Sequence, residues 1–119
     1  LVPFFFANEP RNAGQRKLVA DTLRPICREA EALGVSICFE GLLGATQLWQ
    51  LADAIGSEAF GVYFDMGNAV YIDLDPAAEA RALGRLIRAV HVKDTNVAPG
   101  DARVGAGRVD LPAVARALH

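Results

Sequence analysis

The feature that most constrains the fold is the regular spacing of three ionisable residues that belong to short apolar runs. Glu40 and Asp65 each close such a run, and His91 lies within a third. The intervals between them are 25 and 26 residues, which is about the length of one strand followed by one helix. The chain is therefore predicted to repeat a βα element, with an oxygen or nitrogen ligand near the carboxyl end of each strand.

The alternation of side chains along these runs indicates what the two faces of the strands contact. Because successive side chains point to opposite faces of a strand, Glu40, Asp65 and His91 share their faces with small or polar residues. The opposite faces carry bulky apolar residues: Val35, Ile37, Phe39, Val62, Phe64, Val90 and Val92. The apolar face is predicted to meet helices, and the polar face to line a barrel interior. Two carboxylates and an imidazole that converge there would suit a divalent cation such as Mn²⁺, Mg²⁺, Co²⁺ or Zn²⁺.

The predicted elements alternate between strand and helix, which is typical of an α/β fold with a parallel sheet. The strands are predicted at residues 1–6, 35–40, 61–65 and 89–93. Helical periodicity occupies the stretch before Gly34, then residues 46–55, the stretch after Asp75 and residues 111–118.

Several residues indicate where these helices begin, end or bend. Asp75 and Asp110 are predicted N-caps, and Gly34 is a predicted C-cap. Pro25 lies within the first helical pattern and is predicted to kink or split it. Residues 66–68 are predicted to form a loop after the third strand.

Composition excludes several classes of protein. With 119 residues, 52% of them hydrophobic, and a net charge of −2, the chain is globular in composition and lacks the basic stripe of a nucleic-acid-binding protein. No apolar run is long enough to cross a bilayer. We therefore expect a cytoplasmic protein that binds neither nucleic acid nor membrane.

The length is informative when set against the predicted architecture. A complete (β/α)₈ barrel takes about 250 residues, so this chain can supply only about half of one. We expect an internal fragment of a longer barrel, corresponding to about strands 4 to 7 with their helices.

Three motifs show a resemblance to a known family. Residues 64–68 read FDMGN, residues 91–95 read HVKDT, and residues 104–110 read VGAGRVD. In this order and spacing they resemble the xylose-isomerase-like TIM barrels, in particular the sugar phosphate isomerase/epimerase group. The resemblance covers essentially the whole chain. It implies that residues 1–119 are the C-terminal portion of such a barrel, without its eighth strand.

The resemblance also implies a metal site and a reaction. In this family four residues hold a divalent metal, and the match places the first three at Glu40, Asp65 and His91. The fourth would be a Glu at the end of the eighth strand, after His119. Glu40 also matches one of the two Glu residues that move a proton next to a substrate carbonyl through an enediolate. The implied activity is that of a metal-dependent sugar or sugar phosphate isomerase or epimerase, a carbohydrate-metabolism enzyme.

Three further residues are candidates for substrate binding. Asn68 stands where several relatives have a His that contacts a substrate oxygen. Lys93 shares the inward face of His91, and Arg103 lies in a loop where relatives place an arginine. Either cation can bind a hydroxyl or phosphate oxygen, although a solvated loop charge is an equal explanation for Arg103.

Other interpretations remain open from the sequence alone. Glu40 can be a capping carboxylate, Asp65 a turn residue and His91 a core histidine. A lyase or hydrolase of the same superfamily, such as an inosose dehydratase or an endonuclease-IV-like enzyme, is a second possibility, although the net charge of −2 argues against DNA binding. The third is a truncated half barrel that serves as an interaction module or has no function. By itself, the 119-residue chain is expected to be inactive and to associate with copies of itself through open sheet edges.

Overall fold

The computed structural model describes residues 8–119 as helices packed on a parallel three-stranded sheet. The strands are β1 (Ile37–Phe39), β2 (Phe60–Asp65) and β3 (Ile87–His91), and they lie side by side in that order. Both strand pairs are parallel, as predicted for repeated βα units. The strand predicted at residues 1–6 lies outside the described residues.

All three described strands differ from their predicted limits, β2 by a single residue at its start. β1 begins two residues later than predicted, and the side chain of Val35 is 52% exposed. β3 lies two residues earlier than predicted, so that Val92 follows the strand and is 62% exposed. The pairing of Asp65 with His91 ends the ladder between β2 and β3. As a result, His91 closes its strand just as Asp65 closes β2.

The first helix, α1 (Ala13–Leu33), is continuous through Pro25, so the predicted split is wrong. Pro25 is exposed, and water can take the place of the amide donor that proline lacks. Asn12 and Gln15 form a capping box at the start of the helix. Gly34 ends it with a φ of 66°, a left-handed conformation that favours glycine.

The remaining helices are α2 (Ala45–Ile55), α3 (Met66–Tyr71), α4 (Pro76–Leu83) and α5 (Leu111–Ala117). The predicted caps of α4 and α5 are confirmed, because the Asp75 and Asp110 side chains accept hydrogen bonds from backbone amides in the first turn. The loop predicted at residues 66–68 is wrong, since these residues begin α3. Asp65 caps this short helix by accepting a hydrogen bond from the Asn68 amide.

The hydrophobic core lies between the sheet and the helices. The bulky face of the strands supplies Phe39, Val62 and Phe64, all of them at most 5% exposed. Leu51 of α2 and Leu83 of α4 pack against the same cluster. Burial of each such side chain contributes roughly 1.5–3 kcal/mol. This core holds the strands in register and so determines where their carboxyl ends lie.

From residue 8 onward, no helix is both long enough and apolar enough to cross a membrane.

Candidate metal centre

The carboxyl ends of the three strands bring Glu40, Asp65 and His91 together. Glu40 directly follows β1, Asp65 is the last residue of β2, and His91 is the last residue of β3. One ligand atom from each side chain can be chosen so that all three atoms lie within 4.8 Å of one another. Residues that are 25 and 26 positions apart in the chain thus form one cluster, because parallel strands end at the same edge of the sheet.

The His91 imidazole is held on two sides. Its Nδ1 lies 3.1 Å from Oε1 of Glu40, and its ring stacks on Tyr63 with centroids 4.1 Å apart and planes inclined by 26°. Glu40 is buried, whereas the His91 side chain remains 43% exposed. The imidazole is therefore oriented by the protein and still open to solvent on one side, which a metal ligand requires.

The two oxygens of Asp65 have different surroundings. Oδ1 accepts a hydrogen bond of 2.9 Å from the Asn68 amide. Oδ2 is buried, forms an ion pair with Lys93 Nζ and lies 3.7 Å from His91 Nδ1, and no other described residue donates a hydrogen bond to it. A buried carboxylate oxygen needs a nearby cation or hydrogen-bond donor. This oxygen, a second carboxylate and an imidazole fit a divalent metal ion, and Glu40, Asp65 and His91 are the residues that can hold it.

Lys93 reaches Asp65 through a narrow passage between two glycines. A Cβ atom on Gly67 would lie 3.2 Å from the Lys93 Cβ and Cγ atoms, and a Cβ atom on Gly100 would lie 3.2 Å from Lys93 Cδ. The two glycines therefore leave room for the methylene chain of the lysine. This contact joins the residue 64–68 motif to the residue 91–95 motif in space.

A buried carboxylate organises the loop that follows β3. Asp94 is fully buried and accepts hydrogen bonds of 2.8–3.1 Å from the amides of Thr95, Gly105, Gly107 and Val109. Burial by itself would raise the pKa of Asp94, but these backbone donors outweigh it and hold the pKa below its usual value. The sequence alone predicted no role for Asp94, because its hydrogen-bond partners lie up to 15 residues away along the chain.

The structure places the other two substrate-binding candidates differently from Lys93. Arg103 is exposed in the loop after β3. Asn68 is 2% exposed, and neither polar atom of its side chain has a hydrogen-bond partner among residues 8–119. It lines a cavity of about 20 Å³, which is enough space for about one water molecule.

Glu9 is a buried acid for which the sequence predicted no role. It is 1% exposed, its Oε1 accepts a hydrogen bond of 2.7 Å from the Leu42 amide, and its Oε2 has no partner among the described residues. Burial raises the pKa of Glu9, against the opposing effects of the Leu42 amide and of Arg11. Through Leu42, Glu9 holds the segment that directly follows Glu40. A lone acid before a helix offers no sequence signal for such burial.

Comparison with known proteins agrees with this architecture. The family model described as a xylose isomerase-like TIM barrel matches residues 2–119. No curated protein matches the chain.

Two solved structures share the fold. One is described as a xylose isomerase domain protein from Alicyclobacillus acidocaldarius subsp. acidocaldarius; it has a TM-score of 0.72 and 21% identity, with 96% of this chain and 48% of that chain covered. The other is a xylose isomerase-like TIM barrel/4-hydroxyphenylpyruvate dioxygenase fusion protein, with a TM-score of 0.65, 22% identity and coverage of 92% and 20%. The chain thus spans about half, or less, of the length of these structures.

The predicted class, an α/β fold that forms part of a (β/α)₈ barrel, is confirmed by these matches. Most members of this superfamily are enzymes, and isomerases, epimerases and endonuclease-IV-like proteins are among them. The strand-end placement of the Glu40, Asp65 and His91 cluster agrees with the position at which such barrels carry their sites. The chain belongs to the family of xylose isomerase-like TIM barrels.

Proposed function

We propose that this chain is part of a cytoplasmic, metal-dependent isomerase or epimerase that acts on a small sugar or sugar phosphate. The observation that carries the proposal is the convergence of Glu40, Asp65 and His91 at adjacent strand ends, with ligand atoms within 4.8 Å of one another. A mixed set of two carboxylates and one imidazole suits Mn²⁺, Mg²⁺, Co²⁺ or Zn²⁺.

The side chains of the cluster have different roles in such a reaction. A divalent ion, when bound, supplies Lewis-acid polarisation of the substrate oxygens. Glu40 supplies one of the two carboxylates that remove and return a proton at the carbon next to the substrate carbonyl. Its hydrogen bond with His91 fixes the direction of the carboxylate, and the stacking of Tyr63 on His91 limits movement of the imidazole.

Substrate binding is proposed for Lys93, Arg103 and Asn68. Lys93 is 31% exposed at its side chain and lies next to the cluster, so its ammonium group is close to any sugar oxygen bound there. The exposed guanidinium of Arg103 suits a phosphate group at the rim. The amide of Asn68 contributes through the small cavity that Asn68 and Asp65 both line, which has space for one water molecule.

A lyase or hydrolase of the same family is the alternative function, because it can use the same three ligands with a different substrate. An endonuclease-like activity is the less favourable version, since DNA binding requires a basic surface and this chain has a net charge of −2. Proton exchange without loss of water from the substrate distinguishes an isomerase from a dehydratase.

The test is solvent deuterium incorporation at the carbon next to the carbonyl, measured over a panel of ketoses and ketose phosphates with Mn²⁺. Glu40→Gln keeps the shape and one oxygen donor of the side chain. It is expected to lower exchange by at least about a hundredfold, the size of a general-base contribution, while metal binding persists. The measurement is made with this chain and with a relative of full barrel length that carries the equivalent substitution.

A matched variant separates proton transfer from metal binding. Asp65→Ala removes a ligand without touching Glu40, so it is expected to abolish both Mn²⁺ binding and exchange while the far-ultraviolet circular dichroism stays unchanged. Undiminished exchange in Glu40→Gln would show that Glu40 is no more than a ligand. Unaltered Mn²⁺ affinity in Asp65→Ala would refute the metal assignment.

A further inference from the structure

We propose that Lys93 is a built-in counter-ion of the candidate metal centre, holding Asp65 in the metal-free protein and leaving its Oδ2 atom when a divalent cation binds. The inference rests on the proposed function, because it assumes that Asp65 is a metal ligand. It gives Lys93 a role before substrate binding that its place in the sequence motif does not indicate.

The first observation is the surroundings of the ion pair. Asp65 Oδ2 pairs with Lys93 Nζ, and no other described residue donates a hydrogen bond to this oxygen. The Asp65 side chain is 1% exposed, so water does not solvate it. The ammonium group of Lys93 is therefore the formal positive charge that compensates the buried carboxylate in the absence of metal.

The second observation is the passage that holds the lysine in place. The methylene groups of Lys93 pass between Gly67 and Gly100, where a Cβ atom on either glycine would come within 3.2 Å. Thr95 Oγ1 accepts a hydrogen bond from the Gly100 amide and thereby holds that side of the passage. An ordinary surface lysine has no such enclosure and loses more side-chain entropy on pairing.

The balance of charge explains why the lysine and a metal compete. The cluster contains two carboxylate side chains, Glu40 and Asp65, against the single ammonium group of Lys93, which pairs with only one of them. A divalent cation and the ammonium group repel each other when both contact one carboxylate oxygen. Because the Lys93 side chain is 31% exposed, the ammonium group has a route toward solvent when the metal takes its place.

Displacement also makes Lys93 available to the substrate. Once its Nζ atom has left Asp65, the ammonium group can pair with a hydroxyl or phosphate oxygen at the open side of His91. The structure therefore implies an order of events in which the metal binds first and the lysine contacts the sugar afterwards.

The decisive experiment compares Mn²⁺ binding to wild-type protein, Lys93→Met and the control Lys17→Met by isothermal titration calorimetry. Met keeps the methylene packing against the glycines and removes the charge. Lys17 is an exposed lysine of α1 that pairs with Asp21, so its replacement changes the net charge equally, away from the cluster. We expect Lys93→Met to bind Mn²⁺ at least about tenfold more tightly than wild type, because the competing cation is gone, and Lys17→Met to match wild type.

The possible outcomes separate this inference from the proposed function. Equal or weaker Mn²⁺ affinity in Lys93→Met, with wild-type binding intact, would overturn the counter-ion role and leave the metal site standing. Mn²⁺ binding to none of the three proteins would overturn both.

A second measurement tests the pairing without metal. In the presence of a chelator, Lys93→Met is expected to melt at a lower temperature than Lys17→Met, because it leaves Asp65 as a buried charge without a partner. The double variant Lys93→Met/Asp65→Asn removes that charge and is expected to recover the loss. Should Lys93→Met fail to fold, the double variant must still fold. Failure of the double variant, or equal melting of Lys93→Met and Lys17→Met, would contradict the proposed pairing.

Discussion

Replacing Gly67 by Ala tests whether the close contact between α3 and the loop after β3 is needed for the site. Gly67 is the second residue of α3. A Cβ atom there would lie 2.7 Å from Thr95 Oγ1 and 3.2 Å from two carbons of Lys93. Ordinary van der Waals contacts begin at 3.4 Å, so Thr95 and Lys93 both have to move away from the helix.

The size of the effect follows from what surrounds these atoms. Thr95 is fully buried, and overpacking of a buried site costs about 1–3 kcal/mol. Moving Oγ1 also weakens its hydrogen bond from the Gly100 amide, for about 0.5–1.5 kcal/mol. The gain from replacing a helical Gly with Ala offsets about 0.5–1 kcal/mol. The expected net loss is about 2 kcal/mol, which corresponds to roughly 8 °C for a chain of this size.

A matched control is available in the same chain. Gly14 is the second residue of α1, and a Cβ atom there would meet only the Asn12 side chain, at 3.4 Å. Gly14→Ala is therefore expected to leave stability unchanged or raise it by up to about 1 kcal/mol. The assay is urea unfolding followed by circular dichroism and by Trp49 fluorescence. If Gly67→Ala were as stable as Gly14→Ala, the contact between the two motifs would not have the importance assigned to it.

Three further predictions concern buried acids and association. Burial raises the folded-state pKa of Glu9. The stability that protonated Glu9 contributes is therefore present below the unfolded pKa of about 4.3 and is lost as pH rises through the folded-state pKa. Urea unfolding should thus show Glu9→Gln gaining stability relative to wild type between about pH 4 and pH 8, and a constant difference would contradict the burial argument. The backbone donors lower the pKa of Asp94, so the stability that ionised Asp94 contributes is present above its unfolded pKa and is lost as pH falls through its folded-state pKa. Asp94→Asn should therefore be less stable than wild type at neutral pH and equally stable in acid. A stability difference that does not change with pH would refute this. Finally, β3 pairs only with β2 within residues 8–119, and Leu18 and Val97 are 68% and 83% exposed. We therefore expect a dimer or larger species in size-exclusion chromatography, and a monomer at all concentrations would be the opposite result.

Much of the site could be predicted from the sequence, because its geometry depends on a simple repeat. The spacing of Glu40, Asp65 and His91 requires only that βα units recur and that parallel strands end at a common edge. Alternation along each strand is a local property, so the apolar face of Phe39, Val62 and Phe64 was also predictable. The motifs added the family, which the comparisons confirm.

Two predictions of local structure failed for different physical reasons. Pro25 was expected to kink or split α1, but α1 is continuous, and its buried face packs on both sides of the proline. Residues 66–68 were assigned to a loop, yet they form the first turn of α3 because Asp65 caps it through the Asn68 amide, a local contact that the sequence analysis did not anticipate.

The sequence by itself determined the repeat of strands and helices, the family, and the three side chains that converge at the strand ends. Only the tertiary structure decided that Lys93 pairs with Asp65, that Asp94 accepts hydrogen bonds from three amides 11 to 15 residues away, and that Glu9 is buried. The physical reason is that periodicity and capping act over a few neighbouring residues, whereas a charge pair or a buried carboxylate depends on where distant segments meet in space. Such contacts leave no local pattern in the chain, so they become visible only when the helices and strands are packed.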